Sequence, residues 1–228
     1  MDETDLAETP THDRSNTRLS RLLIAGSLAA VLAAVAVFVA LMWPSSGGDG
    51  AAPGRDSVDA GFARDMAIHH QQAVELSFIV RDRTDDEDVR RLAYDVINTQ
   101  ANQRGMLLGW LEAWDLPKSS QKAPMSWMED GMEGMKGMDY KAHGGSLMPG
   151  MATNTQMDQL RKASGKQAEV LYLRLLTAHH KGGIEMSQAA ADMAGTAEVK
   201  NLAGGMVQGQ EAEMKLMADM LAERGAKP

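Results

Sequence analysis

The chain repeats itself at long range. The pair His69–His70 recurs as His179–His180, an offset of 110 residues. At that offset, with no gap, Glu75 matches Glu185, Ser77 matches Ser187, Asp82 matches Asp192 and Val89 matches Val199. Leu92–Ala93 likewise matches Leu202–Ala203, and Gln100 matches Gln210. A duplicated unit of this kind restricts the fold strongly, because each copy must bury its apolar face against the other.

The apolar spacing says what each copy is. Phe62, Met66, His69, Ala73, Leu76 and Val80 follow one another at steps of four and three, the seam of a packed helix. Thr84-Asp85-Asp86 reads as a turn whose acids suit the start of a second helix. That helix carries a seam of Val89, Leu92, Val96, Thr99, Gln103, Met106 and Trp110 and closes before Pro117. The second copy gives Tyr172, Leu176, His179, Gly183, Met186 and Ala190, then Val199, Leu202, Met206, Gly209, Glu213, Leu216 and Met220. No strand signal appears. The expectation is an all-α fold over residues 58–224, a four-helix bundle made of two repeated hairpins.

The flanks differ in kind. Residues 1–21 are polar and without periodicity, which predicts a disordered tail. Residues 22–43 hold no charged side chain, and about 22 residues at about 1.5 Å each span a bilayer core. Arg14, Arg18 and Arg21 precede this run, which places the tail in the cytoplasm and the bundle outside. The run is longer than the core of a cleaved signal peptide, so it reads as an uncleaved, single-pass signal-anchor in the cell membrane. Residues 44–57, rich in Gly, Ala, Ser and Pro, make a flexible linker. Residues 117–156 break the helical period and read as a mobile Met-rich insertion. Its Met128, Met132, Met135, Met138, Met148 and His143 are candidates for capturing a soft metal.

Two classes of chemistry fall away on composition. With no Cys there is no disulfide, zinc–thiolate site or thiol nucleophile. A net charge of −8 argues against nucleic acid.

The chemistry concentrates at the histidines. His69 and His179 lie on the seam, while His70 and His180, about 100° further round, are expected to border the core. A fold-back near residue 84 brings Gln100 level with His69, and Gln210 level with His179 by the repeat. Gln103 and Glu213 follow one turn on. Such a polar layer can simply fix helix register, but four imidazoles at one level need a common partner or strong mutual neutralisation, and a metal ion is the expected partner. Met66 shares the face of His69 and His70, and Met186 lies two turns beyond His179. Imidazole with thioether favours copper, as Cu(I) or Cu(II), over zinc. Glu75 and Glu185 are alternative ligands, but they lie nearer the opposite face and read as exposed charges. Di-iron bundle sites use Glu-x-x-His, and no His here has Glu three residues before it. No Ser/His/Asp order or phosphate-binding Gly loop is present either, so the chain reads as a non-enzyme, with a di-metal or copper oxidase as the third reading.

The segments Met66-x2-His69-His70-x2-Ala73 and Leu176-x2-His179-His180-x5-Met186 resemble the bacterial family known as domain of unknown function 305, or CopM-like. The resemblance covers roughly residues 58–224. It implies a ferritin-like four-helix bundle, secreted or membrane-anchored, with copper bound in some members and no established enzymatic activity. The family pattern is a doubled Met-x2-His-His-x2-Ala-x2-Met. Here Leu76 replaces the trailing Met of the first copy, Leu176 the leading Met of the second, and Gly183 the Ala. The reading is therefore an anchored protein that sequesters copper or hands it to a partner. The alternative is a structural or signalling bundle whose insertion docks another protein. Homo-oligomerisation is left open.

Overall fold

A computed structural model describes residues 52–129 and 140–227. The expected tail, the anchor, most of the linker, and Met132, Met135 and Met138 lie outside the described residues. Among those described, no helix is long and apolar enough to cross a membrane.

The described chain is helical: α1 (Val58–Arg81), α2 (Glu87–Ala113), α3 (Ser126–Glu129), α4 (Asn154–Lys162), α5 (Gly165–Met193) and α6 (Ala197–Glu223). Side chains start the long helices where the sequence offers caps. Ser57 accepts from the Ala60 N–H, Asp86 from Val89 and Thr196 from Val199, each satisfying a donor the helix cannot reach itself. Thr153 and Gln156 form a reciprocal capping box at α4.

α1 pairs with α2, α5 with α6, and the two hairpins meet along α1 and α5. Those two helices run antiparallel, because Asp59 reaches Thr196, His69 reaches His179 and Ser77 reaches Tyr172. The repeat holds the hairpins together reciprocally. Asp59 accepts from the N–H groups of Gly195 (2.8 Å) and Thr196 (2.9 Å) and from the Thr196 hydroxyl (2.7 Å), gripping the α5–α6 turn. Its repeat mate Glu169 accepts from the Thr84 hydroxyl (2.6 Å) and from Arg224 (2.7 Å), gripping the α1–α2 turn. Each copy's first acid thus closes the other copy's hairpin.

The core has two apolar halves. One gathers Leu76, Val80, Leu92, Val96, Tyr172, Leu176, Met217 and Leu221. The other gathers Phe62, Met66, Leu107, Leu111, Met148, Met186 and Met206. His69, His70, Gln100, His179, His180 and Gln210, all buried, belong to neither and form the polar layer.

Three expectations need correction. On α2 and α6 the strict seven-residue seam drifts off the true one: Thr99 is exposed and Met106 and Leu216 are 42% and 49% exposed, whereas Gln100, Leu107, Leu111 and Met217 are buried. An α-helix turns every 3.6 residues, so a spacing of 3.5 slips by about 20° per heptad. The insertion is not a mobile loop in its described parts. Met128 and Met148 are core residues, and α3 and the first residues of α4 interrupt the stretch. Finally, His70 and His180 do not border the core; both are fully buried.

Candidate metal centre

The layer is built from helix faces that the repeat makes equivalent. α1 supplies His69 and His70, α5 supplies His179 and His180, and the outer helices contribute Gln100 with Gln103 and Gln210 with Glu213. The His69 and His179 rings lie against each other with centroids 3.8 Å apart, and those of His179 and His180 are 6.3 Å apart.

The hydrogen bonds sort the ring nitrogens. His69 Nε2 lies 3.2 Å from the Pro149 carbonyl, His179 Nε2 lies 2.9 Å from the His69 carbonyl, and His180 Nε2 lies 2.5 Å from the Glu213 carboxylate. Carbonyl and carboxylate oxygens accept, so in all three rings the Nε2–H donates. In a neutral ring this leaves the lone pair on Nδ1. All three of those Nδ1 atoms are buried without a partner, as are both nitrogens of His70. Gln100 Oε1 and Gln210 Oε1 are unpartnered too. Buried polar atoms of native proteins seldom go unpaired. Seven fall in this one layer.

Burial disfavours the charged form of His69, His70 and His179. It lowers the His69 pKa to about 4, with the Pro149 carbonyl acting weakly the other way. Burial, then the neighbouring His69, lowers His70 to about 3. Gln103 approaches His70 and opposes this without completing a hydrogen bond of ordinary geometry. Burial also takes His179 well below 6.5, helped by the surrounding imidazoles. A neutral imidazole is the protonation state that metal ligation requires.

The insertion reaches into this layer. Gly150 has a φ of +77°, a conformation in which a side chain is strained, and a Cβ there would strike the Ala178 carbonyl. A Cβ on Gly182 would strike Pro149 itself. The chain at 148–152 therefore crosses α5 as a strap in direct backbone contact. Its far end is held by Gln72, whose Nε2 donates to the Ala152 carbonyl (2.9 Å) while its Oε1 accepts the Ala152 N–H (2.6 Å).

The antiparallel packing gives the motif departures a geometric meaning. Met66 precedes its His pair and Met186 follows its own, so both fall in the same apolar half, joined by Met148 and Met206. Leu76 and Leu176, which stand where the doubled pattern has Met, fall together in the other half. The two motif thioethers, Met66 and Met186, therefore share one apolar half.

Of the other expected residues, Gln100, Gln210 and Glu213 join the layer. Glu75 is exposed and paired with Arg161, and Glu185 is exposed, so neither reaches it. His143 is exposed, its Nδ1 held by the Lys141 carbonyl. Met128 and Met148 pack in the core rather than waiting in a loop. Among the described residues, no three His, Asp or Glu side chains converge as a ready-made chelate. A donor set here has to combine imidazole with thioether or draw the rings in from their present rotamers. Gln72, the Pro149 carbonyl and Gly182 were missed by sequence reasoning. Their one trace is that the repeat breaks at position 72, where Gln faces Gly182 in the other copy.

The family pattern described as Domain of unknown function (DUF305) matches residues 59–221. Among solved structures, a DUF305 protein from Streptomyces coelicolor is similar at 56% identity and a TM-score of 0.68, covering 76% of this chain and 98% of that one. A DUF305 fragment from Deinococcus radiodurans is 27% identical with a TM-score of 0.60, over 75% of this chain and 99% of its own. CopM in its Cu(I)-bound form is 17% identical with a TM-score of 0.54, over 72% and 96%, a likeness of fold. No curated protein matches the chain.

Proposed function

We propose that this chain, which belongs to the DUF305 family, binds copper in the histidine layer of its helical bundle and serves to hold the ion or pass it on. The observation that carries this reading is the sorting of the ring nitrogens. Three imidazoles have Nε2 tied to an oxygen acceptor and Nδ1 buried without a partner. Ligating histidines typically use their second nitrogen in this way, which fixes the tautomer and raises the basicity of the first.

The donors favour copper over zinc. The layer offers imidazole and, on one side, the thioethers of Met66 and Met186, soft ligands that select Cu(I). Structural zinc wants four converging ligands, usually with thiolate, and there is no Cys. CopM, whose fold is similar, is known in Cu(I)- and Cu(II)-bound forms, which supports the same choice. In this reading Met66, Met186, His69, His70, His179 and His180 contact the ion, with Glu213 behind His180 and Gln103 near His70. The copper is cargo and no reaction is assigned to it. The apolar run at 22–43 anchors the bundle on the outer side of the cell membrane.

The second reading is a layer that only sets helix register. The absence of three converging ligands among the described residues favours it, while the unpaired nitrogens count against it. Titration of Cu(I), Cu(II) and Zn(II) into the chain separates the two. Tight Cu(I) binding is expected, abolished when His69, His70, His179 and His180 are changed to Ala. Affinity no better than surface histidines give would refute the metal reading.

A further inference from the structure

We propose that Gln72 is a positioning residue for the histidine layer, acting through the strap: by clamping Ala152 it holds the Pro149 carbonyl on His69 Nε2 and so keeps the lone pair on His69 Nδ1. This inference rests on the metal reading for its purpose but not for its geometry.

The repeat isolates the device. His179 takes its Nε2 acceptor from the opposing helix, the His69 carbonyl. Two-fold symmetry would give His69 the carbonyl of His179. Instead the acceptor is Pro149, from a segment with no counterpart in the repeat. A loop carbonyl is a poorer fixture than a helix carbonyl, because nothing in a helical ladder restrains it. The strap is restrained from outside on both flanks. On the α5 side Gly182 and Gly150 permit backbone-to-backbone contact that any side chain would block. On the α1 side Gln72 makes two opposed hydrogen bonds to one residue, the pairing by which an amide side chain imitates a neighbouring strand. Gln72 and Gly182 occupy the same place in the two copies, and their difference is what lets the strap enter on one side only.

Without the clamp, Ala152 loses both partners and the Pro149 carbonyl is no longer held on the ring. His69 then has no fixed acceptor at Nε2, and its proton can sit on either nitrogen. The lone pair on His69 Nδ1 is then lost for part of the time. His180 is untouched, since Glu213 holds it. His179 is untouched as well, since its acceptor is backbone of α1.

The test uses the full chain with Gln72→Ala, Gln72→Glu (which keeps the acceptor for the Ala152 N–H but not the donor) and Gly182→Ala (which drives Pro149 away from the other flank). Long-range 1H–15N spectra of the metal-free protein read the imidazole tautomers. His69 should be a single Nε2–H tautomer in the wild type and a mixture in Gln72→Ala and Gly182→Ala, with Gln72→Glu between. His179 and His180 should not change. Amide exchange at Ala152 should accelerate in Gln72→Ala, and Cu(I) affinity should fall about 10–100-fold, the usual effect of losing a group behind a ligand. A His69 tautomer that stays fixed while Ala152 exchange accelerates would overturn the proposal, as would a mixed tautomer with unchanged Cu(I) affinity. Failure of the wild type to bind Cu(I) would refute the metal reading instead, and the metal-free spectra would still decide the positioning.

Discussion

Acidifying the metal-free protein should destabilise it steeply, through histidines that the fold holds neutral. In the unfolded chain a His titrates near 6.5. In the bundle burial lowers His69 to about 4 and His70 to about 3, and His179 lies well below its ordinary value. Above pH 6.5 neither state binds the proton and the shift costs nothing. As pH falls through 6.5 the unfolded chain protonates and the native one does not, so stability is lost from about pH 6.5 down to about pH 4, where His69 titrates in the native state too. At pH 5 each such His costs about 2 kcal/mol relative to pH 7, and three cost about 6 kcal/mol. A domain of this size has about 5–15 kcal/mol to lose. Asp65 works the other way, since burial raises its pKa and it gains a proton in the native state first. Urea unfolding with a chelator present at pH 7, 6 and 5 reads the slope. A loss below about 2 kcal/mol between pH 7 and 5 would refute the picture of neutral, sealed rings. The same picture requires that copper binding at pH 7 release almost no protons from these rings, so calorimetric enthalpies should agree between buffers of different ionisation heat.

Changing Met66 and Met186 together to Leu keeps volume and removes sulfur. Cu(I) affinity should fall at least tenfold with Cu(II) less affected, while urea unfolding shifts by less than about 1.5 kcal/mol per site. Tyr172→Phe removes the buried Ser77–Tyr172 hydrogen bond and leaves Ser77 unpartnered. Thermal or urea unfolding should register a loss of about 1–3 kcal/mol. Asp59→Ala strips three hydrogen bonds from the α5–α6 turn. It should cost about 2–4 kcal/mol and speed amide exchange at Gly195 and Thr196 before it affects the α1–α2 turn.

The helices were legible because their residues carry the period themselves. Phe62, Met66, His69, Ala73, Leu76 and Val80 are all buried as the spacing demanded, and Gln100 and Gln210 lie in the layer where the fold-back placed them. What failed on α2 and α6 was the assumption of a straight seam, so that Met106 and Leu216 were taken inward although the helix carries them out to solvent. The depth of His70 and His180 was hidden for a different reason. Their covers, Gln103 and Glu213, lie on other helices, and no local pattern reports a contact across the bundle. The strap was the least visible part. Its hold on the site is a backbone carbonyl, two glycines and one glutamine amide, and a carbonyl has no letter in a sequence.

The placement of Met66 and Met186 in one apolar half makes the two ends of the bundle unlike. A tandem repeat is by default a two-ended object, alike from either direction along its axis. Here Leu76 and Leu176 pack together in one half, beside Met157, Met217 and Met220. The sulfurs of Met66, Met148, Met186 and Met206 cluster at the end where Val58 begins the first helix. The duplicated backbone thus carries two unlike flanks: the motif Met survives on one side of the histidines and Leu stands in its place on the other.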